Sequence, residues 1–415
     1  MSIVINPQLA QAPRTSIAET RQDRIAIVCQ LPFTDIDHPK MEVEAILDHG
    51  FAIDAIDVSR VLYPGRPCPA REYAPPAGVA VCEIASNRDL NGILPALEKA
   101  SLVVCNVSSG HITPRNLGVM RIISKAQTPY VLISRGAIPI IDPVVGRRTF
   151  SQRVRQIDIA NSVLNRIPLN LLGVRPADYV VWGGDASRIP LRLVSERTRQ
   201  IWSFSENYQT YQAEMAAQPI VPEKNTAVYL DQYFGFHPDT AVRGKRFSLT
   251  PDLIYPRLRW LFDRIETQLG LEVVIAAHPR ADYSDKPGIY GERRIVTGKT
   301  VELVRESRLV ICAYSTAASF AVLFEKPLMV VSAPEISNIR ALPAAPEALA
   351  RSVGTVVLDL SQPDSIDLSK AMNWDSRQYK RYVERYIVSA KSERKGIADI
   401  FADLCDKRSS VSVGG

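Results

Sequence analysis

The chain has 415 residues, 46% of them hydrophobic and 23% charged, with 29 prolines against 21 glycines, which excludes a disordered or fibrous chain and exceeds what one core sustains, so two domains of about 200 residues each are expected. Fifty basic against 44 acidic residues leave a formal charge of +6, spread along the chain rather than gathered in a tail. That gives no reason to expect nucleic acid, and suits an anionic small molecule, an acidic membrane surface, or simply a solvated exterior.

Residues 1–24 lack a basic start followed by an apolar core, so they do not read as a secretory signal. From residue 24 onward, apolar runs alternate with helical segments such as 112–127. The runs are "RIAIVCQLP", "FAIDAIDVS", "GVAVCEIAS", "SLVVCNVSSG" and "PYVLISRGA". Continuous apolar strands separated by helices predict a parallel sheet covered on both faces. A helix at about 150–165 and the strands "DYVVWGG" and "RQIWSFS" complete this first α/β domain, residues 1–212.

Residues 213–224, "AEMAAQPIVPEK", combine small residues with two prolines and read as the interdomain connection. Strand–helix alternation then restarts at "TAVYLDQ". It runs through a helix at 250–269, "LEVVIAA", "RRIVTG", a helix at 300–308, "LVICAY", a helix at 316–325, "PLMVVSA" and "GTVVLDL". Helices at about 376–390 and 394–405 close it. Residues 225–405 are therefore expected to form a second doubly wound, Rossmann-like domain, with 406–415 a flexible tail. No apolar stretch approaches the ~18 residues of a membrane span, so any membrane contact is expected to be peripheral. The six cysteines show no CxxC pair and no metal-ligand spacing; Cys29, Cys105 and Cys312 fall inside strand-like runs as small hydrophobes, implying a reducing cytoplasm.

Two such domains place ligands in the cleft between the carboxyl edges of their sheets. The strand "LEVVIAA" ends in His278-Pro279-Arg280, and "LVICAY", one βα unit later, ends in Ser315-Thr316 ahead of a helix. Imidazole donates to phosphate whether neutral or protonated, and hydroxyls and free amides at a helix start bind anions, so the pair predicts a phosphate clamp. Taken singly, each motif is equally an ordinary strand end or helix cap.

Asp231 ends the first strand of the second domain and is expected to face the same cleft, where a carboxylate serves as nucleophile or base, or else caps a turn. No metal is expected, and the charge of a departing phosphate falls to His278, the Ser315-Thr316 cap and either Arg280 or Lys299. Lys299 either pairs with an anionic ligand or is solvated. Gly183-Gly184-Asp185 in "WGGDAS" reads equally as a site of close ligand approach, with Asp185 activating an acceptor hydroxyl, and as a tight bend. Arg243, Lys245, Arg246, Glu206, the "TDIDHPK" loop with Asp35, Asp37 and His38, and "NVSSGH" with Ser108, Ser109 and His111 are further cleft-edge candidates.

The segments "AAHPR", "AYSTA" and "FAVLFEKPLMVV" resemble the donor half of bacterial CMP-sugar-dependent glycosyltransferases of GT-B fold, the sialyltransferase-like and Kdo-transferase families of lipopolysaccharide, O-antigen and capsule assembly. There the resemblance implies that His278, Pro279, Ser315 and Thr316 hold the CMP phosphate. "VYLDQYFGFHPD" resembles a segment of the retaining β-Kdo transferases, which implies that Asp231 acts at the anomeric carbon. The likeness covers residues 226–332 and leaves the glycan or glycolipid acceptor undefined. CMP-Kdo carries a β-configured sugar, so a β-linked product needs two displacements through a glycosyl–Asp231 intermediate, while an α-linked product needs one displacement and a general base. Two alternatives stand beside this: an inverting sialic-acid-type transferase, and a CDP-alcohol phosphotransferase of the teichoic-acid type, whose donor site also pairs His-Pro with serines. A two-domain solute-binding protein is disfavoured by the absent signal and by a single interdomain connection.

Overall fold

The structure, a computed structural model, describes residues 23–66, 73–107, 110–139, 163–217, 222–236, 251–337 and 344–412. The first domain carries β1 Arg24–Cys29, β2 Ala52–Asp57, β3 Val79–Glu83, β4 Leu102–Asn106, β5 Tyr130–Ser134, β6 Tyr179–Trp182 and β7 Arg199–Trp202. They form one parallel sheet in the order β3-β2-β1-β4-β5-β6-β7. Successive side chains on a strand face opposite ways, and both faces are buried. Ala26, Val28, Val103 and Cys105 enter a core on one side, while Ile25, Ile27, Leu102 and Val104 enter a core on the other. The helices α1 Val43–Asp48, α2 Leu94–Lys99 and α3 Leu117–Ala126 cover these faces. The third starts later than the pattern from 112 suggested because Thr113 and Asn116 cap it reciprocally: Thr113 N donates to Asn116 Oδ1 at 2.8 Å and Asn116 N to Thr113 Oγ1 at 3.3 Å. The predicted helix at 150–165 lies almost wholly outside the described residues.

After α4 Glu206–Ala217, the second domain comprises β8 Thr226–Leu230, α5 Pro251–Leu269, β9 Glu272–Ala276, β10 Ile289–Glu292, β11 Ile295–Val296, α6 Thr300–Glu306, β12 Leu309–Cys312, α7 Ala318–Leu323, β13 Leu328–Ser332, α8 Ala345–Val353 and β14 Val357–Asp359. The chain closes with α9 Ser376–Tyr382 and α10 Ile397–Ser412. The second sheet, β11-β9-β8-β12-β13-β14, repeats the strand order of the first, so the strand order reverses at β1/β4 in one domain and at β8/β12 in the other. Burial holds the thiols of Cys105 and Cys312 up at about 12, and both pack as core hydrophobes.

Two expected boundaries are corrected. The crossing between domains comes ahead of α4 rather than at 213–224, because α4 packs on the second domain. Tyr211 meets Phe324 at 5.0 Å between ring centres, Arg305 donates to Glu214 Oε1 at 2.9 Å, and Asn207 Nδ2 donates to Thr316 O at 2.7 Å. At the other end, the chain returns to the first domain. Ile397, Ile400, Phe401, Leu404 and Cys405 of α10 fill that domain's core beside β1 and β2, so the second domain does not extend to 405. Residues 406–412, expected as a flexible tail, continue α10. The apolar spacing of α10 is a signal of burial, not of which core buries it.

The two crossings lie side by side: Phe204 bridges Val388, Ser205 N donates to Ile387 O at 2.8 Å, and Ser203 Oγ donates to Lys395 O at 2.7 Å. A double crossing removes the single-connection argument against a two-domain binding protein. The return crossing, helical over Val383–Ile387, explains Gly184, and the end of β5 explains Gly183. A Cβ on Gly184 would sit 2.5 Å from Tyr386 C and 2.6 Å from Arg385 O, and one on Gly183 would sit 2.5 Å from Arg135 O. These glycines admit protein backbone, not a ligand. Gly184→Ala is therefore expected to displace the return crossing at Tyr386 and cost about 1–3 kcal/mol, read as a lowered melting temperature; an unchanged one would show that the crossing yields freely.

Candidate active site

A cleft of about 330 Å³ opens between the domains, floored by the carboxyl ends of β1, β4 and β5 at Gln30, Asn106 and Arg135, and faced by His278 and Arg280 from the end of β9. Lys40, Asp37 and Glu206 complete its charged lining. Arg135 is only 3% exposed and is fixed: it donates to Glu42 Oε1 at 2.9 Å and to Lys40 O at 2.8 Å. Glu42, 2% exposed on its side chain, turns its other oxygen to Ala398 N at 3.0 Å, so the ion pair ties the cleft floor to the start of α10. A buried pair with its remaining valences satisfied holds geometry more than it adds stability.

His278 follows Ala277 at the end of the buried β9 run and is half-buried. Its Nδ1 lies 3.1 Å from the backbone N of Arg280 and accepts its proton, which leaves the ring proton of the neutral side chain on Nε2. The imidazole is thus held as an N–H donor, with Arg280 beside it in the same cleft. Pro279 between them is exposed and ends the strand.

Asp231 is brought to His278 but not into the cleft. Its side chain is 5% exposed and both oxygens are occupied. Oδ1 accepts from Tyr233 N at 2.7 Å and Tyr290 Oη at 2.8 Å; Oδ2 accepts from Tyr283 Oη at 2.6 Å and His278 N at 3.0 Å. Burial, followed by the Asp231 charge, raises both phenols far above their usual range, so they remain donors. A carboxylate offers about four lone-pair positions. All are taken, so the cage argues against the expected attack by Asp231 on an anomeric carbon and makes it the anchor of the backbone at His278.

The expected clamp is not assembled as one pocket. Ser315 Oγ accepts from Ala317 N at 3.1 Å, and Thr316 O accepts from Asn207 Nδ2 and from Ser319 Oγ, each at 2.7 Å, so both belong to a turn braced by α4. Thr316 borders a second, narrower hollow with Asn207 and Tyr386, and Glu206 is common to that hollow and the cleft. Lys299 is exposed ahead of α6 and does not line the cleft. Asp185 is also outside it, and its Oδ1 accepts from Ser389 Oγ of the return crossing at 2.6 Å. His38 is held between Glu44 and Tyr73. Ser108, Ser109, Arg243, Lys245 and Arg246 lie outside the described residues. Among the described residues, no group of three or more His, Cys, Asp or Glu side chains is placed to hold a metal ion, and no helix is long and apolar enough to cross a membrane.

Lys40 and Arg135 were not singled out from the sequence. Arg135 stands at the carboxyl end of "YVLIS", where the switch-point rule looks for ligand contacts; Lys40 ends the "TDIDHPK" loop, whose cleft-edge reading rested on Asp35, Asp37 and His38.

No protein-family model matches the sequence, and no curated protein does. Among solved structures, the wall teichoic acid polymerase TagF aligns with a TM-score of 0.52 and 12% identity over 95% of this chain and 90% of that one. Acinetobacter baumannii MurG aligns at 0.44 and 12% over 93% and 99%. UDP-GlcNAc 2-epimerase from Methanocaldococcus jannaschii aligns at 0.41 and 12% over 87% and 98%. The chain has the two-domain, parallel-sheet α/β fold of the GT-B type.

Proposed function

We propose that this chain is a glycosyltransferase that takes a sugar, Kdo or a related 2-keto-sugar acid, from its CMP derivative and passes it to a glycan or glycolipid acceptor in the interdomain cleft. The observation that carries this reading is the fixed Nε2–H donor of His278, paired with Arg280 at the switch-point edge of the second sheet. A preset donor costs no reorganisation as negative charge grows on a departing phosphate. Arg280 adds charge to the same face, and Lys40 supplies it from the first domain. The resemblance of "AAHPR" and "AYSTA" to CMP-sugar transferases supplies the nucleotide and the sugar class; the cleft supplies room and positive charge for an anion. Peripheral contact with an inner-membrane surface follows if the acceptor is a glycolipid.

A second reading, transfer of a phospho-alcohol from a CDP-activated donor, is favoured by one observation: the occupied carboxylate of Asp231. Attack at phosphorus needs no carboxylate nucleophile. TagF, which shares the fold, has been soaked with CDPG. CMP release measured with CMP-Kdo and with CDP-glycerol as rival donors separates the two readings. Release from the sugar nucleotide alone is expected; release from CDP-glycerol alone would replace the first reading with the second.

A further inference from the structure

Of the carboxylates that line or back the cleft, all but Glu206 are held by neighbouring groups. Asp231 is caged by two tyrosines and two backbone amides, Glu42 is paired with Arg135 and caps α10, and Asp37 Oδ2 accepts from Thr34 N at 3.0 Å. Glu206 differs. It is half-buried, lines the cleft with His278 and Arg280, and also borders the hollow at Thr316. Among the described residues, no donor bonds either oxygen of its carboxylate, and neither oxygen is sealed from solvent.

Its backbone is nevertheless well placed. Glu206 opens the twelve-residue helix α4, which Asn207, Tyr211 and Glu214 fasten to the second domain. Ser205, immediately before it, is bonded to the return crossing through Ile387. On the other side stands Gly136, whose Cβ, were there one, would lie 3.8 Å from Glu206 Oε1. The carboxylate therefore projects from a rigid base at the seam between the domains, where an acceptor from the first domain would meet a donor in the second. A side chain of unspent acceptor capacity at that point is suited to take a proton.

We propose that Glu206 is the general base of the transfer. The inference rests on the glycosyltransferase reading above. The acceptor hydroxyl oxygen forms a bond to the anomeric carbon as the bond from that carbon to the phosphate oxygen breaks. The electron pair leaves on CMP, facing His278 and Arg280, and the hydroxyl proton passes to Glu206 and then to water. This is a single displacement, so a CMP-β-linked sugar gives an α-linked product, in place of the retention that the sequence resemblance implied.

The test uses the full chain with CMP-Kdo and acceptor, following CMP affinity, turnover against pH, and the anomeric configuration of the product by NMR. Glu206→Gln is expected to bind CMP within about twofold of the wild type, to lose at least about 100-fold in turnover, and to lose the acidic limb of the pH profile; the wild-type product is α-linked. A β-linked product, or Glu206→Gln retaining more than about a tenth of the turnover with an unchanged pH profile, overturns the assignment of Glu206 while leaving the donor reading standing. A wild-type chain that neither binds CMP nor releases it from CMP-Kdo overturns the donor reading and this assignment together. Circular dichroism and the melting temperature of the variant show whether it folds; Glu206→Asp, which keeps the carboxylate one methylene shorter, is expected to recover part of the rate and the acidic limb, and a Glu206→Asp as inactive as Glu206→Gln with the same flattened profile also overturns the assignment.

Discussion

Asp231→Ala is expected to destabilise the second domain by about 4 kcal/mol or more. Removing the carboxylate leaves four donors facing nothing: the hydroxyls of Tyr283 and Tyr290 and the amides of Tyr233 and His278. Each orphaned buried group costs about 1–3 kcal/mol, and the hydroxyl bonds are made to a charge, which strengthens them. The two phenols lie 3.4 Å apart and are able to bond each other once the carboxylate is gone, so the full sum is not reached. For a domain of this size, about 4 kcal/mol lowers the melting temperature by roughly 8–16 °C. Asp231→Asn keeps the shape but turns an amide NH₂ toward two donors, and is expected to lose about 2 kcal/mol. A nucleophile held only for chemistry behaves otherwise, because its removal abolishes turnover and leaves the melting temperature unchanged. That outcome would return Asp231 to the reacting centre.

His278→Ala is expected to lower kcat by about 10²–10³, the usual consequence of removing one preset donor to developing oxyanion charge. The melting temperature should hardly move, because the ring is half-buried at the cleft rim and the amide that Asp231 anchors is backbone, retained in the variant. His278→Gln keeps an N–H on a flexible arm and is expected to fall between the two, since its donor is no longer fixed by Arg280 N. Turnover of His278→Ala within a factor of about five of the wild type would show that Arg280 or Lys40 carries the phosphate without it.

How far these roles were legible in the sequence varies for physical reasons. The parallel sheets were, because strands such as "RIAIVC" and "TAVYL" are buried on both faces and read as unbroken apolar runs. His278 at a carboxyl edge was also legible, since a His-Pro ends such a run and the sheet topology fixes where that edge lies. The role of Asp231 was not. Its position after β8 was read correctly as near His278, but whether a carboxylate is open or caged depends on Tyr283 and Tyr290, about 50 and 60 residues further along the chain. At Gly183-Gly184 the sequence left close approach and a tight bend open: the turn at Asp185–Ser187 was therefore legible, but the approaching bodies, the backbone at Arg135 and around Tyr386, lie far away along the chain. The destination of α10 was hidden because an amphipathic pattern records that a face is buried and is silent about the core that buries it. Glu206 was visible only as one of several cleft-edge candidates, and it gained distinction when the structure showed its rivals engaged elsewhere.

The central claim is that the cleft at His278 and Arg280 holds a cytidine nucleotide, and calorimetric titration of CMP, UMP and AMP into the wild-type chain and His278→Ala tests it most directly. CMP binding at least about tenfold tighter than that of the other two, with a loss of about 1.4 kcal/mol or more in His278→Ala, is the predicted result. Equal affinity for all three nucleotides, or CMP binding untouched by His278→Ala, would contradict it.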